Sequence, residues 1–339
     1  MQGLYQLKGV GMEYSCPPVL IVGFNRPECL REVFEKVRAA RPEELFLALD
    51  FPRVGRSDEE AYEKCKTIFD GVDWPCIVHR NYAEQNLGCR DRMASAITWA
   101  FEYVDRLMIF EDDCVPDITF FRFCSELLEK YKDDMRIGMI AGCDEHFHVK
   151  NLELHGDSYY FDRFASIWGW ATWKRVWDIH DVNISYWPEF RKRFHLMDGF
   201  FRNKMAVRDR MLYTDLLYQR KAGAWAGCWA THLYKENMLC IHPCVNLISN
   251  NGCGYSSRTD SKIKRHWWQS DRKNPWDRRP TEPMLFPLKH PITMLPNIDS
   301  EHWRFKDSGT IMSFPVRIYW KTRRFVGKLL RRTNVLGVK

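Results

Sequence analysis

The first 145 residues alternate short apolar runs with amphipathic segments, and this alternation constrains the fold more than any other feature. "PPVLIVGF" (17–24) is a β-branched apolar run after two prolines and reads as a strand. "RPECLREVFEKVRAA" follows and places Leu30, Val33, Phe34 and Val37 on one helical face. "ELFLALD" (44–50), "PCIVHR" (75–80), "DRLMIF" (105–110) and "RIGMIAG" (136–142) read as four further strands. Between them lie "SDEEAYEKCKTIFDGV", "CRDRMASAITWAFEYV" and "DITFFRFCSELLEKYKDD", each with helical periodicity. The second of the four helices is expected to start at Ser57 as its cap, with Glu60 three residues on, and the last at Asp117. Near-continuous apolar strands joined by helices predict an α/β fold, a mostly parallel sheet flanked by helices.

In such sheets ligands bind beyond the carboxyl ends of the strands. Three of these ends carry polar groups: Asn25 and Arg26 after the first strand, Asp50 after the second, and Glu111, Asp112 and Asp113 after the fourth. They are expected to converge on one crevice. Three adjacent acids after a greasy strand repel one another and need a positive partner or water. Paired carboxylates suit a hard divalent cation, Mg²⁺ or Mn²⁺, which also takes phosphate oxygens. A solvated turn leading to the Asp117 cap is the alternative.

Beyond residue 145 the periodicity weakens and aromatics cluster in "YYFDRFASIWGWATWKRVW" (159–177), "SYWPEFRKRFH" (185–195) and "GAWAGCWATHLY" (223–234). The reading is one domain over 17–256, with a ligand-binding half at 17–145 and a mixed half at 146–256. An irregular extension at 257–314 and a helix at 315–335 follow. That helix accounts for most of the net charge of +7: "RIYWKTRRFVGKLLRR" (317–332) has seven basic residues and no acid. Arg317, Lys321, Arg324, Lys328 and Arg331 share one face and apolar residues the other, a basic amphipathic pattern that suits an anionic membrane surface at 316–332. Packing on the domain with the basic face in water is the alternative. Elsewhere acids balance the bases, so nucleic acid is not an expected partner.

No apolar run approaches the ~20 residues of a membrane-spanning helix, and no signal peptide is legible at the start. The twelve cysteines are scattered, and reduced thiols are expected. "CIHPC" (240–244) reads as strand, not as a zinc site, because no second ligand pair sits at finger-like spacing. The expected location is cytoplasmic, peripheral on the inner face of the cell membrane.

"PVLIVGFNRPECL", "LALD", "NLGCRDR", "IFEDDCVPDITFF" and "WGWATWKRVW" together resemble the GT-A-fold glycosyltransferases. The likeness covers roughly residues 17–256. It is strongest to bacterial surface-polysaccharide transferases of family-2-like type, and the pattern is also similar to N-acetylglucosaminyltransferase I. The resemblance implies a nucleotide-diphosphate sugar as donor, a UDP-sugar favoured. It implies a glycan or lipid-linked acceptor, as in lipopolysaccharide or other polysaccharide synthesis, and a metal-dependent, inverting reaction. By position it implies Asp113, with Glu111, for Mn²⁺ or Mg²⁺, Asp112 for the donor's ribose or sugar, and Asp50 for the nucleobase. Arg26 and Arg90 fall beside the diphosphate, and Trp168, Gly169 and Trp170 beside the acceptor. The general base falls on Asp215, with Asp144 as second candidate. Another alignment puts Ala226 where the acid belongs. No histidine stands in "NNGCGYSSRTDS" where relatives carry a Thr-His-Thr.

Two other classes remain. A sugar nucleotidyltransferase would need a Gly-rich basic loop after the first strand, which "VGFNRPECL" lacks. A non-catalytic carbohydrate- or membrane-binding descendant of a transferase would be consistent with Ala226.

Overall fold

The computed structural model describes residues 14–144, 156–194, 204–222, 224–252 and 279–297. These fall into two compact units. The larger holds the described residues up to 144, 156–182 and 224–296, and the smaller those within 183–222. The basic helix expected at 315–335 lies outside the described residues, as does most of the extension at 257–314; the described stretch 279–297 of that extension has no helix. No helix among the described residues is long and apolar enough to cross a membrane.

The larger unit is built on an eight-stranded sheet. Its opening strands are β1 (Val19–Gly23), β2 (Glu44–Leu49), β3 (Ile77–Tyr82) and β4 (Arg106–Glu111). The helices between them are α1 (Pro27–Ala40), α2 (Glu59–Phe69) and α3 (Gly88–Ala100). β1 is buried along its whole length between parallel neighbours β2 and β4, and β2 pairs in parallel with β3. The chain therefore runs outward from β1 through β2 to β3, then returns to lay β4 on the other side of β1. That reversal is a topological switch point, where the connections after β1 and β4 diverge and leave a crevice.

The other sheet strands are β6 (Ile137–Ala141), β7 (Tyr159–Asp162), β8 (Trp170–Trp173) and β9 (Leu239–Pro243). The strand order is β3-β2-β1-β4-β8-β6-β9-β7. The α/β expectation of a mostly parallel sheet flanked by helices is met, with two antiparallel insertions. β8 runs antiparallel between β4 and β6, and β7 runs antiparallel along β9. The structure makes Trp170–Trp173 a strand buried on both faces, and only Lys174–Trp177 (α5) is helical. "CIHPC" is strand, as expected: it supplies most of β9.

Two local expectations are corrected. Ser57 is not the cap of α2: Asp58 stands at that position, without a side-chain cap bond. Its carboxylate is taken instead by Arg53 and Asn25, and Glu60 turns to Lys64. The stretch from the acids to Asp117 is not a solvated turn. Cys114–Pro116 is a short strand, β5, paired antiparallel with β10 (Ile248–Asn250). The helix α4 (Ile118–Lys130) starts after it, and Asp117 caps it as expected, its Oδ1 accepting from the Thr119 N–H at 2.9 Å.

The smaller unit contains α6 (Trp187–Arg193) and α7 (Lys204–Tyr218). Asp215 on α7 joins the two. Its carboxylate accepts both forks of Arg191, at 2.6 and 2.9 Å, and the Trp187 indole N–H at 3.0 Å.

Candidate active site

A cavity of about 590 Å³ opens at the β1–β4 switch point, within the size range of small-ligand sites. The strand ends singled out by sequence meet there: Arg26 after β1, Asp50 after β2, and Glu111, Asp112 and Asp113 after β4 all line it. The start of α3 contributes Gly88 and Cys89, and β10 with its following turn contributes Asn250 and Gly252.

The positive partner that the acids require is Arg26. Its guanidinium spans both carboxylates, pairing with Asp112 Oδ1 through Nη2 and with Asp113 Oδ2 through Nη1, the latter at 2.6 Å. The Phe24 N–H adds a bond of 3.2 Å to the other oxygen of Asp112. Burial pulls Arg26 toward losing its proton, but the two carboxylates outweigh this and hold it well above its ordinary value. The Asp112 side chain is only 3% exposed. Burial pushes its carboxyl above the ordinary carboxylate range, against the pull of Arg26.

Asp50 is occupied by the chain itself. It accepts the N–H groups of Leu87 and Gly88 at 2.8 and 2.9 Å, and the Asn86 amide at 3.2 Å. Backbone donors at a helix start have no intrahelical partner, and a carboxylate from the neighbouring strand end supplies one. The positive end of α3, where a phosphate is favoured, thus already holds an anion. Arg90, on the first turn of α3, is buried; its Nη2 donates to the Val182 carbonyl at 2.8 Å, and the residue does not line the cavity.

Two other arginines do line it and were missed by sequence reading. Arg53 is held bidentately by Asp58, whose carboxyl it keeps down at about 2. Arg92 is 3% exposed and donates to the Asn81 side chain at 3.1 Å and to the Asn81 carbonyl. Burial lowers its pKa, with Asp50 the first opposing charge. Arg53 stood three residues past Asp50 in "LDFPR", a spacing that puts it back over the same strand end. Arg92 carried no signal of its own beside Arg90 and Asp91 in "CRDR".

The tryptophan segment divides. Trp168 lines the cavity. Trp170 is fully buried, its ring centroid 5.2 Å from Trp229 and 5.8 Å from Trp225, and cements β8 to α8 (Trp225–Lys235). Gly169 sits between them at φ +56°, with Ile248 so close that a Cβ would overlap it.

Neither candidate base lies in the cavity wall. Asp215 belongs to the smaller unit, bound by Arg191 and Trp187. Asp144 follows β6 and pairs with Arg279 at 2.9 Å. Ala226, on the first turn of α8, does line the cavity, beside Ala224 and Trp225. Among the described residues no three His, Cys, Asp or Glu side chains cluster as a ready-made metal cage. The acids still suit a cation in kind: they are hard oxygen donors, and the missing Cβ at Gly252 lets Asp113 and Arg26 pack against its backbone, since a Cβ there would overlap both Asp113 Oδ2 and Arg26 Nη1.

No protein-family model matches the sequence, and no curated protein is significantly similar to it. Solved structures show distant likenesses. One is the mannosyltransferase PcManGT from Pyrobaculum calidifontis in complex with GDP-Man and Mn²⁺, at 14% identity and TM-score 0.33, over 66% of this chain and 75% of that one. Another is the glycosyltransferase GlyE of Streptococcus pneumoniae, at 9% identity and TM-score 0.32, over 67% of this chain and 45% of that one. A third is 4-diphosphocytidyl-2C-methyl-D-erythritol synthase from Anaerococcus prevotii, at 10% identity and TM-score 0.25, over 36% of this chain and 53% of that one. Likenesses this slight assign no residue and no activity to this chain.

Proposed function

We propose that the chain is a glycosyltransferase of GT-A type that takes a nucleotide-diphosphate sugar at the β1–β4 switch point. The observation that carries the reading is the meeting of Arg26, Asp112 and Asp113 on one cavity wall, at the carboxyl ends of adjacent parallel strands. A diphosphate needs a forked donor and a counter-charge, and these residues offer both. Trp168 lines the same wall, and a tryptophan ring is a surface on which the apolar side of a sugar ring stacks.

In this reading Arg26 binds and orients the diphosphate, while Asp113 and Glu111 hold Mn²⁺ or Mg²⁺. The cation supplies charge stabilisation for the departing diphosphate. Asp112 anchors Arg26 and faces the donor, a UDP-sugar by preference. The acceptor is a polysaccharide or lipid-linked oligosaccharide, and the protein meets it at a membrane surface through residues 316–332. Inversion requires a carboxylate to take the acceptor's proton, and Asp215 or Asp144 would have to leave its arginine to do so.

A second reading rests on Ala226. It puts a methyl group on the cavity wall at the position where one of the two alignments with the resembling family places the acid. The chain is then a binding protein that keeps the donor cavity without the transfer step. Thermal-shift measurements with UDP- and GDP-sugars, with and without Mn²⁺, test what the readings share, since a ligand of the native state raises the melting temperature. No shift with any of them removes both. A shift without transfer or donor hydrolysis selects the second.

A further inference from the structure

Every carboxylate oxygen of Asp112 and Asp113 already has a donor. Arg26 takes one from each; the Phe24 N–H takes Asp112 Oδ2, and the Cys114 Sγ stands 3.4 Å from Asp113 Oδ1. A cation bound at Asp113 Oδ2 would therefore claim the oxygen that Arg26 holds. The Arg26 side chain is itself only 14% exposed, so losing both carboxylates without a replacement would leave a largely buried charge unpaired. The cavity wall as a whole sets three arginines, Arg26, Arg53 and Arg92, against four carboxylates, Asp50, Glu111, Asp112 and Asp113. A diphosphate arriving alone meets an acidic wall.

We propose that Arg26 couples the two ligands of this cavity: it competes with a divalent cation for Asp113 Oδ2, and a diphosphate that accepts its guanidinium frees that oxygen. The proposal rests on the donor reading above and adds to it an order of dependence. The guanidinium fork that spans two carboxylates fits two phosphate oxygens equally well, so Arg26 moves from one pair of anionic oxygens to another and is never left bare. Asp113 Oδ2, once released by Arg26, would be open to hold the cation. Each ligand strengthens the other, and linkage requires the same factor in both directions, roughly 5- to 150-fold for couplings of this kind. Arg26 is in this sense a positioning residue for the cation as well as a ligand for the diphosphate.

The experiment follows Mn²⁺ by electron paramagnetic resonance as it binds wild type and Arg26→Gln, each alone and with UDP or GDP. Wild type is expected to bind Mn²⁺ weakly alone and at least ~10-fold more tightly with a nucleoside diphosphate. Arg26→Gln is expected to bind Mn²⁺ more tightly than wild type when no nucleotide is present, and the nucleotide's effect on Mn²⁺ affinity should shrink toward one. Asp113→Asn should abolish Mn²⁺ binding in both backgrounds. The proposal is overturned if Arg26→Gln leaves the nucleotide-free Mn²⁺ affinity unchanged or weaker, or if the nucleotide's effect on Mn²⁺ is the same in both proteins. Should Arg26→Gln not fold, Arg26→Lys replaces it; one ammonium cannot span both carboxylates, and it too should raise nucleotide-free Mn²⁺ affinity. If neither UDP nor GDP binds wild type with Mn²⁺, the donor reading and the coupling both fall. The nucleotide-free comparison then decides only whether Arg26 and the cation compete.

Discussion

The Asp50 carboxylate stands 2.8 Å from the Leu87 N–H and so ties the end of β2 to the start of α3. With Gly88 and Asn86 as further donors, it organises the turn that forms one rim of the cavity. Asp50→Ala is expected to cost about 2–3 kcal/mol of stability, because bonds to a charged acceptor are lost and backbone donors are stranded. Urea denaturation measures this. If Asp50 served only a ligand, stability would not change while nucleotide affinity fell.

Trp168 and Trp170 are two residues apart and should behave in opposite ways. Trp170→Ala empties a site packed by Trp225 and Trp229 and is expected to cost about 3–5 kcal/mol. Trp168→Ala removes a cavity-wall ring and should cost less, about 1–2 kcal/mol, while weakening saccharide binding. Denaturation curves paired with titration calorimetry separate the two.

Ala226→Asp places a carboxylate on the cavity wall. If the lost acid is what limits the chain, transfer or donor hydrolysis should rise by about 100-fold or more, the scale of general base catalysis. Asp215→Asn should then leave activity alone. The reverse pattern, with Asp215→Asn inactive and Ala226→Asp without effect, identifies Asp215 as the base. Product release from a labelled nucleotide sugar reads both.

His180 and His232 pack ring to ring at 5.1 Å, under Trp177 and Trp229. Burial holds His180 down at about 3, with His232 and Arg90 adding repulsion and Asp181 opposing it, and burial holds His232 down at about 4, with Glu236 and Asp181 opposing and Lys235 adding repulsion. A folded pKa below the unfolded one means the unfolded chain binds more protons. Stability is therefore full above pH ~6.5 and falls as the pH drops toward ~4, by on the order of 3 kcal/mol for His232. His232→Phe should flatten the melting temperature over that range. An unchanged acid slope in that variant would show that other groups carry it.

Gly252 allows Asp113 and Arg26 to lie against the β10 turn. Gly252→Ala forces a methyl group into that contact, so it should weaken nucleotide binding at least 10-fold, about 1–3 kcal/mol of overpacking placed at the site itself. Calorimetry on the folded variant gives the number.

The strands around β1 were legible because a strand buried on both faces has no polar residue to spare. The polar ends of β1, β2 and β4 then had to meet where the chain reversed direction. The pairing of Arg26 with Asp112 and Asp113 was not legible, because the acids lie 86 and 87 residues further along and only the register of β1 on β4 brings them together. β8 was not legible for a similar reason. "WATW" is short and apolar on both faces, and a run of that length does not reveal whether it continues the helix after it or fills a gap between distant strands. Arg92 and Arg53 were not legible as site residues, because the Asn81 and Asp58 contacts that hold them are formed by the fold.

The late arrival of β8 has a consequence during synthesis. Until residues 170–173 emerge, β4 is an open edge, and its Leu107, Met108 and Ile109 are apolar residues that end fully buried in the finished sheet. An exposed apolar edge is a template for pairing with another chain. A nascent chain stalled or cut between β6 and β8 would carry that edge uncovered, so fragments ending near residue 150 should aggregate, whereas fragments extended past residue 243, which lay β8, β6 and β9 alongside β4, should be shielded by their own strands.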